Sequence, residues 1–544
     1  MGMNDLANGV VKGGELAAPL NKVQIKVYSG DKHLKQTFTT GDDGKWKLSN
    51  LSDNDHIIFS KKNYQDKTFT ASSLPKIIRL IRNQLIGYQD KLWFKAGEKI
   101  AAYVHSDQPF QAHLYRHGFQ KELIQKIGDF PSHLQMLPDD HFVAKGLGWK
   151  PTFSYTVPNH VPSGLYSLYL SSDEHEPFAI PFIISPDKND WGNSPLLILA
   201  STNNWQSYNI WGGRSRYRNY EEVSTKDFMN EPGIFTEILQ QVGQKLPPRL
   251  VSNIRGALGL EKKEPEWKFK RLSIRRPFSN CSLEDSTPLK PYTNHLAGGE
   301  WRVLAWLERE NIDYQVISGY ELHQQPEILD HYKGILLSTH CEYWTKKMYR
   351  SVKEFHQEHG LSIYNISGNT LYREIDFYED GSHRCTSLKF KDSVEDETQL
   401  IGVRFSLADY GTCAPYKITK PSHWVFDDIP IHKRSETFGH LSLNQNTHKH
   451  SNRYDPGRPG VEFGLRGSGA SGWETDKLSK NAPADFTVVA RGQNPWGGAE
   501  MVVREPEGNR GAVFSVSSIT FGGALLIDEV CSQIVHNALS KYVL

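Results

Sequence analysis

PLLILAS, residues 195–201, is an unbroken apolar run without polar alternation, the pattern of a strand buried on both faces. Two further runs share it, GILL within YKGILLSTHCEYW (332–344) and SIYNI within LSIYNISGNTLY (361–372). Helical patterns fall between them. In GEWRVLAWLERENI (299–312), Val303, Leu304, Trp306 and Leu307 recur at helical spacing. DYQVISGYEL (313–322) predicts a strand, a loop and a short helix, and TKKMYRSVKEFHQEHG (345–360) a helix closed by Gly360. Buried strands alternating with helices predict an α/β doubly wound parallel sheet over 188–544. In such sheets ligands bind beyond the C-terminal ends of the strands, so the loops after these strands are where chemistry is expected.

Toward the N-terminus the pattern changes to short β-strands. In KVQIKVYS (22–29), Val23, Ile25 and Val27 alternate with polar residues, and Asp42-Asp43-Gly44 marks a turn between strand-like runs. Residues 1–84 thus predict one β-sandwich, and their order of motifs is similar to carboxypeptidase regulatory-like modules. Residues 85–187, with alternation in SGLYSLYLSS (163–172) and loops punctuated by proline, predict a second sandwich. The 544 residues suit about three domains at roughly 100–200 residues each. The 63 basic and 62 acidic residues leave a net charge of +1, so no global field recruits nucleic acid or an anionic membrane. No apolar run approaches the ~20 residues of a membrane-spanning helix. The first residues lack a secretion-signal pattern, and the five cysteines are few and widely spaced, so a reducing, cytoplasmic setting is expected.

Three polar clusters come after the buried strands: STNNWQSYNIWGGRSRY (201–217), STHCEYW (338–344) and SGNTLYRE (367–374). Together with SGWETDK (471–477) and GAVFSVSSITFGGAL (511–525), they resemble, in order, motifs of the N,N-dimethylformamidase large (beta) subunit-like family. The resemblance covers roughly 190–544. It implies a class I amidotransferase- or flavodoxin-like fold and a hydrolase of small non-peptide amides, in which water activated by iron (Fe3+) attacks the carbonyl. It further implies metal ligation by Tyr208, Glu342 and a second tyrosine, for which Tyr217 is the candidate ahead of Tyr220. His340 is expected to orient water or act as base, Asn369 to hold the carbonyl or oxyanion, and Lys389 and Glu474 to lie near the metal. Phenolates and carboxylates are hard oxygen donors suited to a hard cation. A small partner subunit or a homo-oligomer is also expected from this resemblance.

Other readings stay open. Trp205, Trp211, Trp344 and Trp473 suit sugar stacking, and a non-catalytic carbohydrate- or partner-binding protein would use the same pocket for recognition. Cys341 comes after a strand, as a nucleophile would, but lacks the glycine neighbours of a strained elbow. The Gly-, Ser-, Asn- and His-rich stretch 440–480 reads as a long functional loop or lid, with His440, His448 and His450 as solvated residues. EKKEPEWKFKR (261–271) mixes both charges and reads as a solvated connector.

Overall fold

A computed structural model describes residues 7–139, 142–221, 264–281, 283–290, 295–444 and 466–544. The middle of the expected lid, 445–465 with His448 and His450, falls outside these residues, and so do the first residues of the charged connector. The chain is multidomain and rich in β-sheet, with few helices. No helix among the described residues is long and apolar enough to cross a membrane.

At the N-terminus a four-stranded sheet (Leu34–Thr39, Gln24–Tyr28, His56–Ser60, Lys67–Thr70) lies with a three-stranded one (Lys45–Leu48, Ala7–Gly13, Ile77–Leu80). Their inward side chains, among them Val23, Ile25, Val27, Trp46 and Phe59, form one core. The alternation in residues 22–29 has its cause here: one face of the strand meets that core and the other meets water. A five-stranded and a three-stranded sheet come next, between Ile86 and Ser185, around a core that includes Phe94, Leu114, Tyr166 and Phe182. This second unit is tied firmly to the helices of the C-terminal region. The Trp301 indole donates to Gly118 O at 2.7 Å, Arg116 pairs with Glu308, and Lys95 meets Glu321 at 2.9 Å.

The site rests on a nine-stranded sheet, numbered here in chain order: β1 Leu196–Ala200, β2 Tyr314–Ser318, β3 Gly334–Thr339, β4 Ser362–Ser367, β5 Tyr416–Ile418, β6 Thr437–Phe438, β7 Thr487–Gly492, β8 Glu500–Arg504 and β9 Val513–Ser515. Their spatial order is β2-β1-β3-β4-β9-β8-β7-β5-β6. The helices that matter are α1 Thr202–Tyr208, α2 Ala297–Arg309, α3 Gly319–Gln324, α4 Lys346–Glu358 and α5 Glu529–Tyr542. Along β1, Ile198 joins a core shared with α2 and α5, while Leu197 and Leu199 join a core shared with α4. Burial on both faces is why residues 195–201 show no alternation. Helix ends obey their sequence cues. Thr345 caps α4 by accepting from Met348 N at 3.1 Å, and Ser318 with Glu321 forms a capping box on α3. Gly360, past the end of α4, takes φ +78°.

The expectation of a doubly wound parallel sheet needs correction. Only β2, β1, β3, β4 and β9 run parallel; β9-β8, β8-β7, β7-β5 and β5-β6 pair antiparallel. Strand–helix alternation stops after β4, and short strands and loops fill most of the chain from there to α5. An apolar run reports burial, not the direction of its neighbour, so the parallel reading of the first strands could not be extended to the last.

Candidate functional site

Because β1, β3, β4 and β9 are parallel, the segments leaving them emerge on one edge of the sheet. After β1 comes Ser201 and then α1, whose last residue is Tyr208. After β3 come His340, Cys341 and Glu342; after β4, Gly368 and Asn369; after β9, Ser517 and Ser518. Glu474 joins them from the segment that bridges Thr475 to Ser518, with Asp476 N donating to Ser517 O at 2.9 Å. The loops are locked together by backbone bonds. Leu371 N donates to Cys341 O, and Tyr372 and Arg373 N to Glu342 O, all at 2.9–3.0 Å.

The backbone here is unusual. Thr339, Asn369, Leu371, Trp473 and Ser517 all have positive φ, between 51° and 66°. Residues other than glycine held in this region carry conformational strain of order 1–3 kcal/mol each, which surrounding packing must hold in place and which clusters at functional sites. Gly368 serves a different need. A Cβ there would lie 2.6 Å from Ile519 N and 2.7 Å from Glu474 O, so only glycine lets the loops after β4 and β9 approach.

The side chains converge on a buried oxygen-rich cluster. Tyr217 donates to Glu342 Oε2 at 2.5 Å, Tyr343 donates to the Tyr217 hydroxyl at 2.8 Å, and the Tyr208 and Tyr217 rings lie 4.3 Å apart. His340 Nδ1 lies 2.9 Å from Gly368 O, which can only accept. Nδ1 therefore carries a proton and Nε2 faces the cluster, 3.0 Å from the Tyr208 hydroxyl, 3.4 Å from Glu342 Oε2 and 3.8 Å from Glu474 Oε2. Asn204 Oδ1 accepts from Glu342 N at 3.1 Å, and Asn369 N donates to Asp476 Oδ1 at 2.9 Å. Tyr217 keeps 40% of its surface exposed, although its hydroxyl turns inward.

Electrostatics reflect this crowding. Burial, then the charges of Glu342 and Glu474, push the Tyr208 phenol well above its ordinary pKa; burial and Glu342 do the same to Tyr217. Burial raises Glu474, against the attraction of His340 and with the repulsion of Glu342. Burial opposes the charged form of His340, but its bond to Glu342 and the charge of Glu474 outweigh it, and the imidazole rises. Two oxygens on the wall, Glu474 Oε2 and Asn369 Oδ1, have no hydrogen-bond partner among the described residues. Buried polar atoms left so are costly, and a ligand is one way to satisfy them. Phenol and carboxylate oxygens crowd together around the imidazole. Such a donor set fits a hard cation. Among the described residues no three His, Cys, Asp or Glu side chains form a metal site by themselves, so a cation here would rest on the tyrosines.

A cavity of about 240 Å3 opens beside the cluster, with Tyr217, Glu342, Asn369 and Glu474 in its wall. Thus Tyr208, Tyr217, His340, Glu342, Asn369 and Glu474 come together. Lys389 does not join them: its ammonium sits 4.9 Å above the ring of Tyr372, at the cavity's edge. Cys341 points away, its thiol 3.3 Å from Ser201 Oγ, and burial pushes it up to about 12. Sequence reasoning missed Tyr343, legible as the residue after Glu342, and Asp476, two residues past Glu474. It also missed His295, which no motif marks. That ring is buried between Tyr208, His340 and Trp473, at 4.3–5.2 Å, with both nitrogens unpaired among the described residues.

Residues 111–533 match the family N,N-dimethylformamidase beta subunit-like, C-terminal, and the chain belongs to that family. The match begins inside the second β-sandwich, well before residue 188. A curated relative, the N,N-dimethylformamidase beta subunit of Alcaligenes sp, is 24% identical over 236 residues, covering 41% of this chain and 27% of that protein. The match therefore spans about a quarter of the relative's length. Among solved structures, the major pilin subunit BcpA of Bacillus cereus is similar over 37% of this chain and 73% of its own, at 8% identity and a TM-score of 0.13. Native alpha-2-macroglobulin from Escherichia coli is similar over 34% of this chain and 71% of the solved chain, at 12% identity and a TM-score of 0.15. Likeness at that level carries no functional argument.

Proposed function

We propose that this chain hydrolyses the C–N bond of a small, non-peptide amide, with iron bound by Tyr208, Tyr217 and Glu342. The observation that carries the reading is the buried cluster of phenol and carboxylate oxygens, with a Glu474 oxygen unpaired among the described residues, at the strand ends of a chain from a dimethylformamidase beta subunit-like family. A ferric ion held there would supply Lewis acidity toward a carbonyl oxygen and a water molecule. The remaining work falls to the side chains. Asn369, in the cavity wall, holds the substrate carbonyl. His340, with Nε2 turned inward by Gly368 O, and Glu474 accept the proton of the attacking water and return it to the departing amine. Tyr343 orients Tyr217 through the bond between their hydroxyls.

Three finer readings belong to this proposal. The parallel order β2-β1-β3-β4-β9 supports a flavodoxin- or amidotransferase-like ancestry for half of the sheet. The curated relative is named a beta subunit, which supports assembly with a further subunit. We also place the protein in the cytoplasm, on the reducing setting that its sparse cysteines suggest. The test is to purify the protein without chelators or a metal-affinity column and measure iron content and visible absorption, then assay formamides. Near-stoichiometric iron with a tyrosinate charge-transfer band, lost in Tyr208→Phe, is the expected result. A protein that takes up no iron and hydrolyses no amide would overturn it.

A further inference from the structure

The cavity has two unlike ends. Its floor holds Glu342 and Glu474; elsewhere its wall is aromatic and basic. Arg216 lines it while only 3% exposed, and its guanidinium meets no carboxylate among the described residues. Its terminal nitrogens donate to the carbonyls of Lys268, Lys270 and His383 and approach the His383 ring, and its Nε has no partner there. A buried cation without a counter-charge is expensive unless something supplies one.

Away from Glu342 and Glu474, cations outnumber carboxylates in the lining among the described residues. Lys268 and Arg373 also line the cavity, and Lys389 sits at the edge over Tyr372. Among the described residues a single carboxylate, Glu264, faces these three; it pairs with Arg373, stands 4.0 Å from Lys268, and is held below the ordinary carboxylate range against the effect of its burial by Arg373, Lys268 and Lys389. Phe269, Tyr343, Tyr372, Phe405 and Tyr410 supply flat apolar surface between floor and rim. The volume, about 240 Å3, exceeds the ~150 Å3 of an engineered cavity that takes up benzene. That is room for a single-ring molecule with short substituents.

We propose that the substrate is an amide of single-ring size that carries a carboxylate, with the amide at the Glu342–Glu474 floor and the carboxylate on Arg216, Lys268 and Lys389. This rests on the reading of the site as an amide hydrolase, and it gives Lys389 the part of an anion contact at the rim. Glu264 holds the rim cations in place and competes with the substrate carboxylate for them.

Two paired measurements test it. The first compares kcat/KM for 4-formamidobenzoate, which carries its amide and carboxylate on opposite sides of the ring, with that for formanilide, its neutral counterpart. The second compares binding of benzoate and benzamide by titration calorimetry, which needs no turnover. The expected results are a preference for the anionic member of each pair of about tenfold or more, the scale of one charge-assisted contact. Lys268→Gln and Lys389→Gln, at half-buried positions where folding is safer than at Arg216, should each cut the preference several-fold, and Glu264→Gln should raise it. If neither amide is hydrolysed but benzoate still binds better than benzamide and loses that advantage in Lys268→Gln, the hydrolase reading fails and the anion site stands. Equal binding of benzoate and benzamide, or a preference untouched by both lysine substitutions, overturns the anion site.

Discussion

Glu300 and Glu474 are both buried carboxyl groups near α1, and the fold treats them in opposite ways. Glu300 accepts from the Ser201 backbone N–H at 3.1 and 3.2 Å and from the Trp205 indole at 2.7 Å. Both oxygens are thus bonded, and the group ties the start of α1 to α2. Glu474 has an oxygen with no hydrogen-bond partner among the described residues, faces a second carboxylate, and opens on a cavity. Burial raises both pKa values, so titration behaviour alone does not tell them apart. Hydrogen-bond satisfaction does. A matched buried carboxyl holds a structure together; an unmatched one at strand ends, among strained residues, is kept for a ligand.

The comparison breaks most visibly at Glu474. Glu474→Gln removes a proton acceptor and should lower kcat by about 10²–10⁴, the usual weight of general acid–base catalysis, with the unfolding midpoint unchanged or raised. Steady-state assays beside thermal denaturation check both halves; loss of stability without loss of rate would erase the distinction. Glu300→Ala should do the reverse. It leaves the Ser201 N–H and the Trp205 indole unpaired, and urea unfolding should show a loss of about 3 kcal/mol, since each orphaned buried donor costs roughly 1–3 kcal/mol.

A pH series sharpens the point. Burial pushes Glu300 from 4.5 to about 8. The folded chain then binds this proton more tightly than the unfolded chain, so the contribution is full below pH 4.5 and is lost as pH rises toward 8. Stability should therefore fall between those values, and Glu300→Gln should flatten the slope; an equal slope in that variant would assign the effect elsewhere. The smallest effect is expected at Cys341. With its thiol pushed up to about 12 and bonded beside Ser201, it carries almost no thiolate at neutral pH. Cys341→Ser should leave kcat/KM near that of the native protein, and iodoacetamide should not inactivate; rapid inactivation protected by substrate would revive a cysteine nucleophile.

Much of this was written locally in the chain. The buried strands at 196–200, 334–339 and 362–367, the helices 297–309 and 346–358, and the two β-rich N-terminal stretches all arise from periodicity and end signals, because burial and capping act over a few residues. The polar clusters behind the strands were legible too, and with them Tyr208, Tyr217, His340, Glu342 and Asn369. Strand direction was not. Whether β8 joins β9 parallel or antiparallel depends on the path of the connecting chain, which leaves no mark on an apolar run. Nor could the sequence show which donors would meet Glu300 and which oxygen of Glu474 would be left open, seat His295 against His340, or move Lys389 from the floor of the cavity to its rim. Those outcomes depend on which donors and charges the fold brings in from other segments of the chain. Residue type and short-range pattern determined what each segment could offer; the tertiary structure decided which offers were matched and which were left open for a ligand.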